Sequence, residues 1–382
     1  NSGRRDMGGV SAGAEGSGSV TDVLCRLGLS SAFEPGNEVI GQLVEEFTAE
    51  GAVDMLSANG AMPRGVAALS RRWREVDWLR TAEKELESVA ARAIALVVPG
   101  TADWPTQLDD LADRAPLVLR VQGSVALRPI VSRSIAVGGA RAATGYGVWV
   151  AEELCAQLAA EGWCVVSGGA MGIDAASHRG ALAGQGTTIA VSAAGVDVAV
   201  PMSNDSLFTR IYGAGAVVSE VPIGSHPNRR RFLVRNRVIA ALTPVTVVVE
   251  AALRSGALST AREADAMGRR LCAFPGPTTS AMSAGCHELI RTGSAALVTG
   301  PEDVIAVALG RSDSTSDQLP GRRFVSIDLS EQLVLDACAQ QSASVERIAA
   351  ACELSVEAAI ATLHLLERKA LVRQTARGWR SA

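Results

Sequence analysis

From Ser134 onward the sequence repeats one pattern: a short apolar run, a turn rich in glycine or serine, and a longer amphipathic stretch. Strands that are apolar along their whole length and alternate with helices are typical of a parallel sheet covered on both faces. The pattern therefore predicts an α/β fold with a doubly wound, Rossmann-like parallel sheet that ends near Leu309. The predicted strands are residues 135–138, 164–167, 188–192, 216–219, 246–250, 271–274 and 296–298.

The segments on either side of this sheet differ from it. Residues 21–92 carry apolar positions at helical spacing without a strand pattern, which predicts a helical domain of the SAM or helix-hairpin kind. The Rossmann-like domain then spans 93–310, and the polar residues 311–323 are typical of a linker. Residues 324–382 hold three short helical patterns and a hairpin, which predicts a winged-helix domain. The Gly- and Ser-rich residues 1–20 predict a flexible tail.

Charge and hydropathy exclude several classes of protein. The formal net charge is −4, which excludes a basic coat over the whole surface and leaves room for a local basic patch. No apolar run approaches the roughly 18 to 20 residues of a membrane helix, and no apolar segment of a signal peptide follows Arg4 and Arg5. We therefore expect a cytoplasmic protein. Its seven cysteines contain no C-x-x-C pair, so we expect them to be reduced and to hold no metal.

Loops that leave the carboxyl ends of parallel strands open onto one edge of a sheet, where helix N-termini offer free N–H groups. The first such loop contains Gly139 and Arg141. Arg141 can present a forked cation to a phosphate or a base edge, although an ion pair at a helix start is an equally good interpretation. The second loop contains Gly168, Gly169 and Gly172, which permit close approach of the backbone to an anion.

The strongest signal is the basic segment 226–237. It holds five arginines and no acid, interleaved with Phe232 and Asn236. Arginines for phosphates and an aromatic ring for base stacking are typical of a groove for single-stranded nucleic acid. A solvated helix face is the alternative interpretation, and the apolar residues 232–234 that interrupt the charges disfavour it.

Enzymatic motifs are missing from the sequence. The dinucleotide fingerprint with its acidic residue after the second strand, the G-x-S-x-G elbow and the P-loop do not occur. Asp174 and His178 lie four residues apart and could mimic an acid–base pair. We prefer to interpret Asp174 as a helix cap and His178 as an imidazole that fixes the glycine loop. We therefore expect neither catalysis nor a cofactor.

Several segments in order resemble the DprA (Smf) DNA-processing family. The resemblance runs over roughly residues 93–298, and includes Ile-Ala-Val-Gly-Gly-Ala-Arg at 135–141, Ser-Gly-Gly-Ala-Met-Gly-Ile-Asp at 167–174, Arg-Asn-Arg at 235–237 and Val-Glu-Ala-Ala-Leu-Arg-Ser-Gly at 249–256. It implies a single-stranded DNA-binding protein that forms a homodimer, protects incoming DNA, and recruits and loads the RecA recombinase in natural transformation and recombination.

The resemblance also implies which residues contact DNA. Arg141 is similar to the arginine of the family's Gly-Ser-Arg turn, while Ala140 and Met171 depart from the usual serine and arginine. The expected DNA-binding residues are Gly139, Arg141, Ser167, Gly168, Gly169, Gly172, Asp174, His178, Arg231, Phe232, Arg235, Asn236, Arg237, Ser255 and Gly256.

Two alternatives stay open at this point. A nucleotide-handling Rossmann enzyme related to the nucleoside monophosphate phosphoribohydrolases is the second candidate, although the chain lacks the P-G-G-x-G-T-x-x-E loop. The winged-helix domain could read DNA or contact protein. Its presumed third helix carries few basic residues, which favours a protein contact.

Overall fold

The structure is a computed structural model that describes residues 19–59, 64–253, 255–310, 328–339, 342–369, 371–375 and 378–381. The predicted linker 311–323 and nearly all of the predicted tail lie outside the described residues. The described part of the chain forms a large mixed sheet with helices on both faces, a helical part before it, and a smaller C-terminal unit after it.

The helical part before the sheet comprises four helices. The first begins after Ser19, whose side chain accepts a hydrogen bond from the Asp22 N–H, as a cap does. Trp73 stacks on Phe33 and on Trp78 inside this part, with ring centroids 6.1 and 5.2 Å apart. The helices are α1 (Val20–Ala32), α2 (Glu38–Ser57), α3 (Arg64–Arg74) and α4 (Trp78–Ala91).

The large sheet has nine strands, and seven of them, β3 to β9, lie within a few residues of the predicted strands. The strands are β1 (Ala95–Val97), β2 (Leu119–Gly123), β3 (Ser134–Gly138), β4 (Cys164–Ser167), β5 (Thr188–Val191), β6 (Ala216–Ser219), β7 (Val245–Val248), β8 (Arg270–Ala273) and β9 (Ala296–Leu297). The order in space is β1-β2-β6-β5-β4-β3-β7-β8-β9.

Strands β3 to β9 are parallel, which confirms the predicted Rossmann-like core. At its centre Ala136 of β3 pairs with Val166 of β4 on one side and with Thr246 of β7 on the other. The chain runs outward from β3 to β6 and then returns to β7, so the order of the strands reverses between β3 and β7. This reversal is where a doubly wound sheet opens a crevice for ligands.

The sheet is not parallel throughout. Strand β1 pairs antiparallel with β2, and β2 pairs antiparallel with β6. Strands β1 and β2 therefore extend the sheet at its β6 edge. An antiparallel pair forms here because β1 and β2 are joined without a crossover, through a 3-10 helix at Thr106–Arg114.

Helices on both faces bury the sheet. On one face Leu154 and Ile173 pack on Ile135 and Val247, and on the other Val238 and Leu242 pack on neighbouring strands. The helices of this part are α5 (Leu127–Val131), α6 (Gly145–Ala160), α7 (Ile173–Ala183), α8 (Asp205–Ala214), α9 (Arg229–Leu242), α10 (Ala257–Ala266), α11 (Ala284–Arg291) and α12 (Pro301–Ala308), with a short 3-10 helix at Met202–Asn204.

The C-terminal unit, residues 328–381, has three helices and a two-stranded antiparallel sheet, in the order that the sequence predicted. Its assignment as a winged helix stays a prediction. The unit packs on the Rossmann-like core, because Leu233 of α9 lies in one apolar cluster with Leu333 and Trp379. Its elements are α13 (Leu329–Ala339), α14 (Val345–Cys352), α15 (Val356–Arg368), β10 (Val372–Thr375) and β11 (Gly378–Ser381).

Among the described residues no single helix has both the length and the apolar character to cross a membrane. One strongly bent pair, α14 with α15, meets the criterion by length and composition only. All seven cysteines are buried and free, and no group of three metal-ligating side chains occurs within the described ranges.

Candidate nucleic-acid interface

Helix α9 begins at the carboxyl-end edge of the sheet with three consecutive arginines. Asn228 caps this helix, since its side chain accepts a hydrogen bond of 2.8 Å from the Arg231 N–H. The N-terminus of a helix carries a partial positive charge, so cations in the first turn are electrostatically unfavourable and anions are favourable. The start of α9 therefore requires carboxylates or bound anions nearby.

Two other parts of the chain supply carboxylates to this turn. Both oxygens of Glu34, between α1 and α2, accept hydrogen bonds of 2.8 Å from Arg231. Asp336 on α13 lies 3.4 Å from Arg229. Arg230 differs, because its buried Nε has no hydrogen-bond partner among the described residues. The basic start of α9 is thus only partly neutralised by the protein.

Arg141 stacks on Phe232 at this edge. The guanidinium carbon lies 4.5 Å from the centroid of the phenyl ring, which is a cation–π contact. Arg141 is exposed and Phe232 is half-buried. No carboxylate of the described residues lies within ion-pair distance of Arg141. Stacking on a ring fixes the plane of the guanidinium and leaves its N–H groups available to an anion.

Arg235 points away from solvent. Its Nη1 donates a hydrogen bond of 2.6 Å to the carbonyl of Gly168 and a second one to the carbonyl of Val191. Burial lowers the pKa of Arg235 from 12.5 to about 10, and Asp174 opposes that shift. The side chain therefore ties helix α9 to the glycine loop that follows β4.

Arg237 is also buried. It forms a two-pronged ion pair with Glu220, with both distances 2.6 Å, and its Nε donates to the carbonyl of Arg114 at 2.8 Å. These positions differ from the solvent-facing ones expected for Arg235 and Arg237 as phosphate contacts. The difference arises because carbonyls and a carboxylate from distant parts of the chain satisfy both guanidinium groups. Asn236 lies between them and is buried, 8 % exposed.

The loops after β3, β4 and β7 are tied together through the backbone of Ala140. Its N–H donates to the carbonyl of Glu250 at 2.7 Å, and its carbonyl accepts from the N–H of Ile173 at 3.2 Å. Gly172 has φ of +78°, and a Cβ atom there would lie 2.2 Å from the Ala140 carbonyl. A Cβ at Gly168 would lie 2.4 Å from Arg235. These glycines are therefore required by the packing of the loops on each other.

The remaining glycines and serines of the expected set lie in the same loops. A Cβ at Gly139 would lie 2.7 Å from the Glu250 carbonyl, and Gly169 packs on the ring of Phe208. Ser167 donates to the Val137 carbonyl at 2.7 Å. Ser255 donates to the Ala252 carbonyl at 3.1 Å, and Gly256 directly precedes α10. The structure thus brings the expected residues together at one edge, with several of them buried.

Asp174 and His178 lie beneath the glycine loop. Burial raises the pKa of Asp174, whose carboxylate accepts a hydrogen bond from the Ala170 N–H at 3.4 Å. Gly172, not Asp174, is the N-cap of α7. Burial, with a smaller effect of Arg235, lowers the pKa of His178 from 6.5 to about 3. Its Nδ1 lies 2.7 Å from the Thr188 hydroxyl, which places a neutral imidazole behind the loop.

Sequence reasoning missed the role of Glu250. This buried carboxylate accepts hydrogen bonds from the Thr144 N–H at 2.9 Å and from the Thr144 hydroxyl at 2.6 Å. A Cβ at Gly147 would lie only 2.2 Å from it, so the carboxylate covers the first turn of α6. The protein's own negative charge thus occupies the helix N-terminus beside the β3–β7 crevice. The sequence feature that could have revealed this role is a single acidic residue at the end of an apolar predicted strand.

Comparisons with known proteins agree with this architecture. The family model described as DNA recombination-mediator protein A matches residues 95–308. A protein of Mycobacterium tuberculosis, called a putative DNA processing protein DprA, is 39 % identical over 319 residues, which cover 80 % of this chain and 81 % of that protein. The DNA processing protein DprA of Streptococcus pneumoniae is 39 % identical over 203 residues, 53 % of this chain and 70 % of that protein.

Two solved structures are similar to this one. The crystal structure of DNA processing protein A from Streptococcus pneumoniae has a TM-score of 0.62 and 31 % identity, and covers 73 % of this chain and 95 % of that one. The structure of DNA processing protein A from Helicobacter pylori, described for its single-stranded DNA binding mode, has a TM-score of 0.51 and 28 % identity over 57 % of this chain and 96 % of that one. The chain belongs to the DNA recombination-mediator protein A family, the DprA (Smf) DNA-processing proteins.

Proposed function

We propose that this protein binds single-stranded DNA at the carboxyl-end edge of its sheet. The observation that carries the proposal is the exposed stack of Arg141 on Phe232. A guanidinium held over an aromatic ring can bind a phosphate, while the ring and the guanidinium plane offer faces for an unstacked base. The unneutralised positive charge at the start of α9 adds an electrostatic attraction for the strand.

In this proposal the contacts divide into two groups. Arg141 and Phe232 face the strand, together with the backbone of the tied loops. Arg235, Arg237, Asp174 and His178 act behind them and hold the loops and α9 in place. This division follows from burial and from the hydrogen bonds that satisfy the second group within the protein.

We further propose that the bound strand is passed to the RecA recombinase in natural transformation and recombination, without catalysis by this chain. Membership in a family of DNA recombination mediators supports this step. The proposal includes a cytoplasmic location and a homodimer, as the family resemblance implies.

The nucleotide-handling enzyme is the less well supported alternative. A nucleotide phosphate in a doubly wound fold binds at a helix N-terminus beside the crevice. Here the Glu250 carboxylate covers that position on α6. Sustained, metal-independent release of base from a nucleoside monophosphate would favour the enzyme over the DNA-binding protein.

The test measures affinity for a strand of about 50 nucleotides across salt concentrations, with its duplex and mononucleotides as competitors. Arg141→Ala should weaken binding and lower the log–log salt slope by about 0.7, because one phosphate contact is lost. Phe232→Ala should weaken binding by roughly 5-fold to 150-fold, the equivalent of about 1 to 3 kcal/mol of stacking, whereas Phe232→Tyr should bind as the wild type does.

Arg133→Ala is the matched control. Arg133 is exposed and also stacks on an aromatic ring, with its guanidinium carbon 5.0 Å from the ring centroid of Trp163. It directly precedes β3 and so lies at the opposite edge of the sheet. Its loss removes the same charge without touching the proposed interface. Equal effects of Arg133→Ala and Arg141→Ala, or no effect of either, would overturn the proposed site.

A further inference from the structure

Trp149 on helix α6 is strongly exposed. It is 64 % accessible, while four other tryptophans, Trp73, Trp104, Trp163 and Trp379, are at most 5 % accessible, and Trp78 is half-buried. Tryptophan carries the largest apolar surface of any side chain, and proteins rarely leave most of it in water without a binding role.

A second aromatic residue lies one helical turn before it. Tyr146 is 38 % accessible, and its hydroxyl donates a hydrogen bond of 2.6 Å to the Pro275 carbonyl in the loop after β8. This bond fixes the ring of Tyr146 against the loop. Residues three apart share one face of a helix, so Tyr146 and Trp149 form a continuous aromatic surface, which we call the α6 platform.

The α6 platform lies close to the DNA-binding edge. Trp149 is five residues after the N-cap Thr144, a distance of about 7 Å along the helix axis. The loop that carries Arg141 leads directly into this helix. The proposed interface includes Phe232 and Arg141. The α6 platform therefore extends this interface onto the opposite face of the sheet.

The acidic residues near the α6 platform should repel a nucleic acid only weakly. The neighbouring segment 274–286 contains no charged residue. Glu152 pairs with Arg179 at 2.7 Å, and the buried Glu250 is bound by Thr144. Glu153 accepts a hydrogen bond from Gln157 and lies a further turn away from the edge. Glu152 and Glu153 lie one turn further along α6, whereas the side of Trp149 toward Tyr146 and the segment 274–286 is uncharged, which suits the face of a base more than a phosphate.

We infer that the α6 platform stacks the bases of the same single strand after it passes Arg141, with Trp149 as the principal stacking residue. The inference rests on the proposed function. Stacking is tolerant of sequence, since every base has an aromatic face. Trp149 therefore lengthens the binding site without adding a phosphate contact.

Tryptophan fluorescence tests this inference directly, because Trp149 is the most accessible tryptophan of the chain. Addition of a thymidine strand of about 20 nucleotides should quench the emission of the wild type and protect it from acrylamide. Trp149→Phe should keep most of the affinity and lose this change. Trp149→Ala should bind roughly 5-fold to 150-fold more weakly at an unchanged salt slope. Leu79→Ala, at an exposed apolar position of α4, is the control and should bind normally.

The outcomes separate the two proposals. A wild type that binds no single strand overturns the proposed function. Binding that depends on Arg141, combined with normal affinity of Trp149→Ala and unchanged quenching by acrylamide, overturns the α6 platform alone. A Trp149→Ala variant that binds normally but sediments as a different oligomer also overturns it, and assigns the platform to a contact between copies.

Discussion

His178 should stay neutral in mild acid, and this should make the folded protein less stable there. The ring is fully buried, and its pKa is lowered from 6.5 to about 3 by burial and by the charge of Arg235. The Thr188 hydroxyl donates to the Val165 carbonyl at 2.8 Å, so it accepts from His178, whose Nδ1 carries the proton. A second proton would have to go to the buried Nε2, which has no partner among the described residues.

The sign of the effect follows from proton binding. Below pH 6.5 the unfolded chain binds a proton at this histidine, whereas the folded chain does not until about pH 3. The stability is therefore complete above the unfolded pKa and is lost as the pH falls through this window. Each pH unit costs up to about 1.4 kcal/mol, so the free energy of unfolding should fall by about 2 kcal/mol from near pH 7.5 to near pH 5 through His178 alone.

The variant His178→Asn isolates this contribution, because its amide can still donate to Thr188 but does not titrate. Urea unfolding of both proteins across the same pH range gives the difference in their unfolding free energies. The wild type should lose about 2 kcal/mol more than the variant, since other groups, including Asp174, are present in both. Parallel pH curves would refute the reasoning. The histidine NMR signal that disappears in the variant should not titrate between about pH 8 and pH 5.

Three further predictions concern helix α9 and the C-terminal unit that packs on it. Arg237→Ala leaves Glu220, whose side chain is only 10 % exposed, without its partner, so urea unfolding should show a loss of about 3 kcal/mol; a variant as stable as the wild type would contradict a stabilising pair. Asp336→Asn releases Arg229 and should steepen the salt slope of single-strand binding by about 0.7; an unchanged slope would show that Arg229 reaches no phosphate. Removal of residues 325–382 should leave a folded core that still binds single strands in a gel shift, and loss of most binding by a soluble truncated chain would identify the C-terminal unit as a primary DNA site.

The parallel core could be predicted from the sequence because each of its strands is a continuous apolar run. Val245–Val248 and Cys164–Ser167 are buried along their whole length, so burial and sequence pattern coincide there. Strand β1 was harder to place in the sheet. Its position at the β6 edge depends on the antiparallel pairing of β2 with β6, which the local pattern does not encode.

The convergence of Arg141 with the basic segment could also be predicted, because both follow from the rule that strand-end loops meet at one edge. The burial of Arg235 and Arg237 could not. The groups that satisfy them, the carbonyls of Gly168 and Arg114 and the carboxylate of Glu220, are 67, 123 and 17 residues away in sequence. An arginine with such partners has the same local sequence signal as an exposed one.

Helix α9 contacts the helical part through Arg231 and Glu34, the glycine loop through Arg235, and the C-terminal unit through Arg229 and Asp336. This sets a rule for domain exchange between relatives. A chimera that brings in a new helical part without an acid at the position of Glu34 would leave Arg231 as a second unmatched cation, beside Arg230, at the start of α9. Compatible exchanges are those in which the helix is inherited together with the acids that face it.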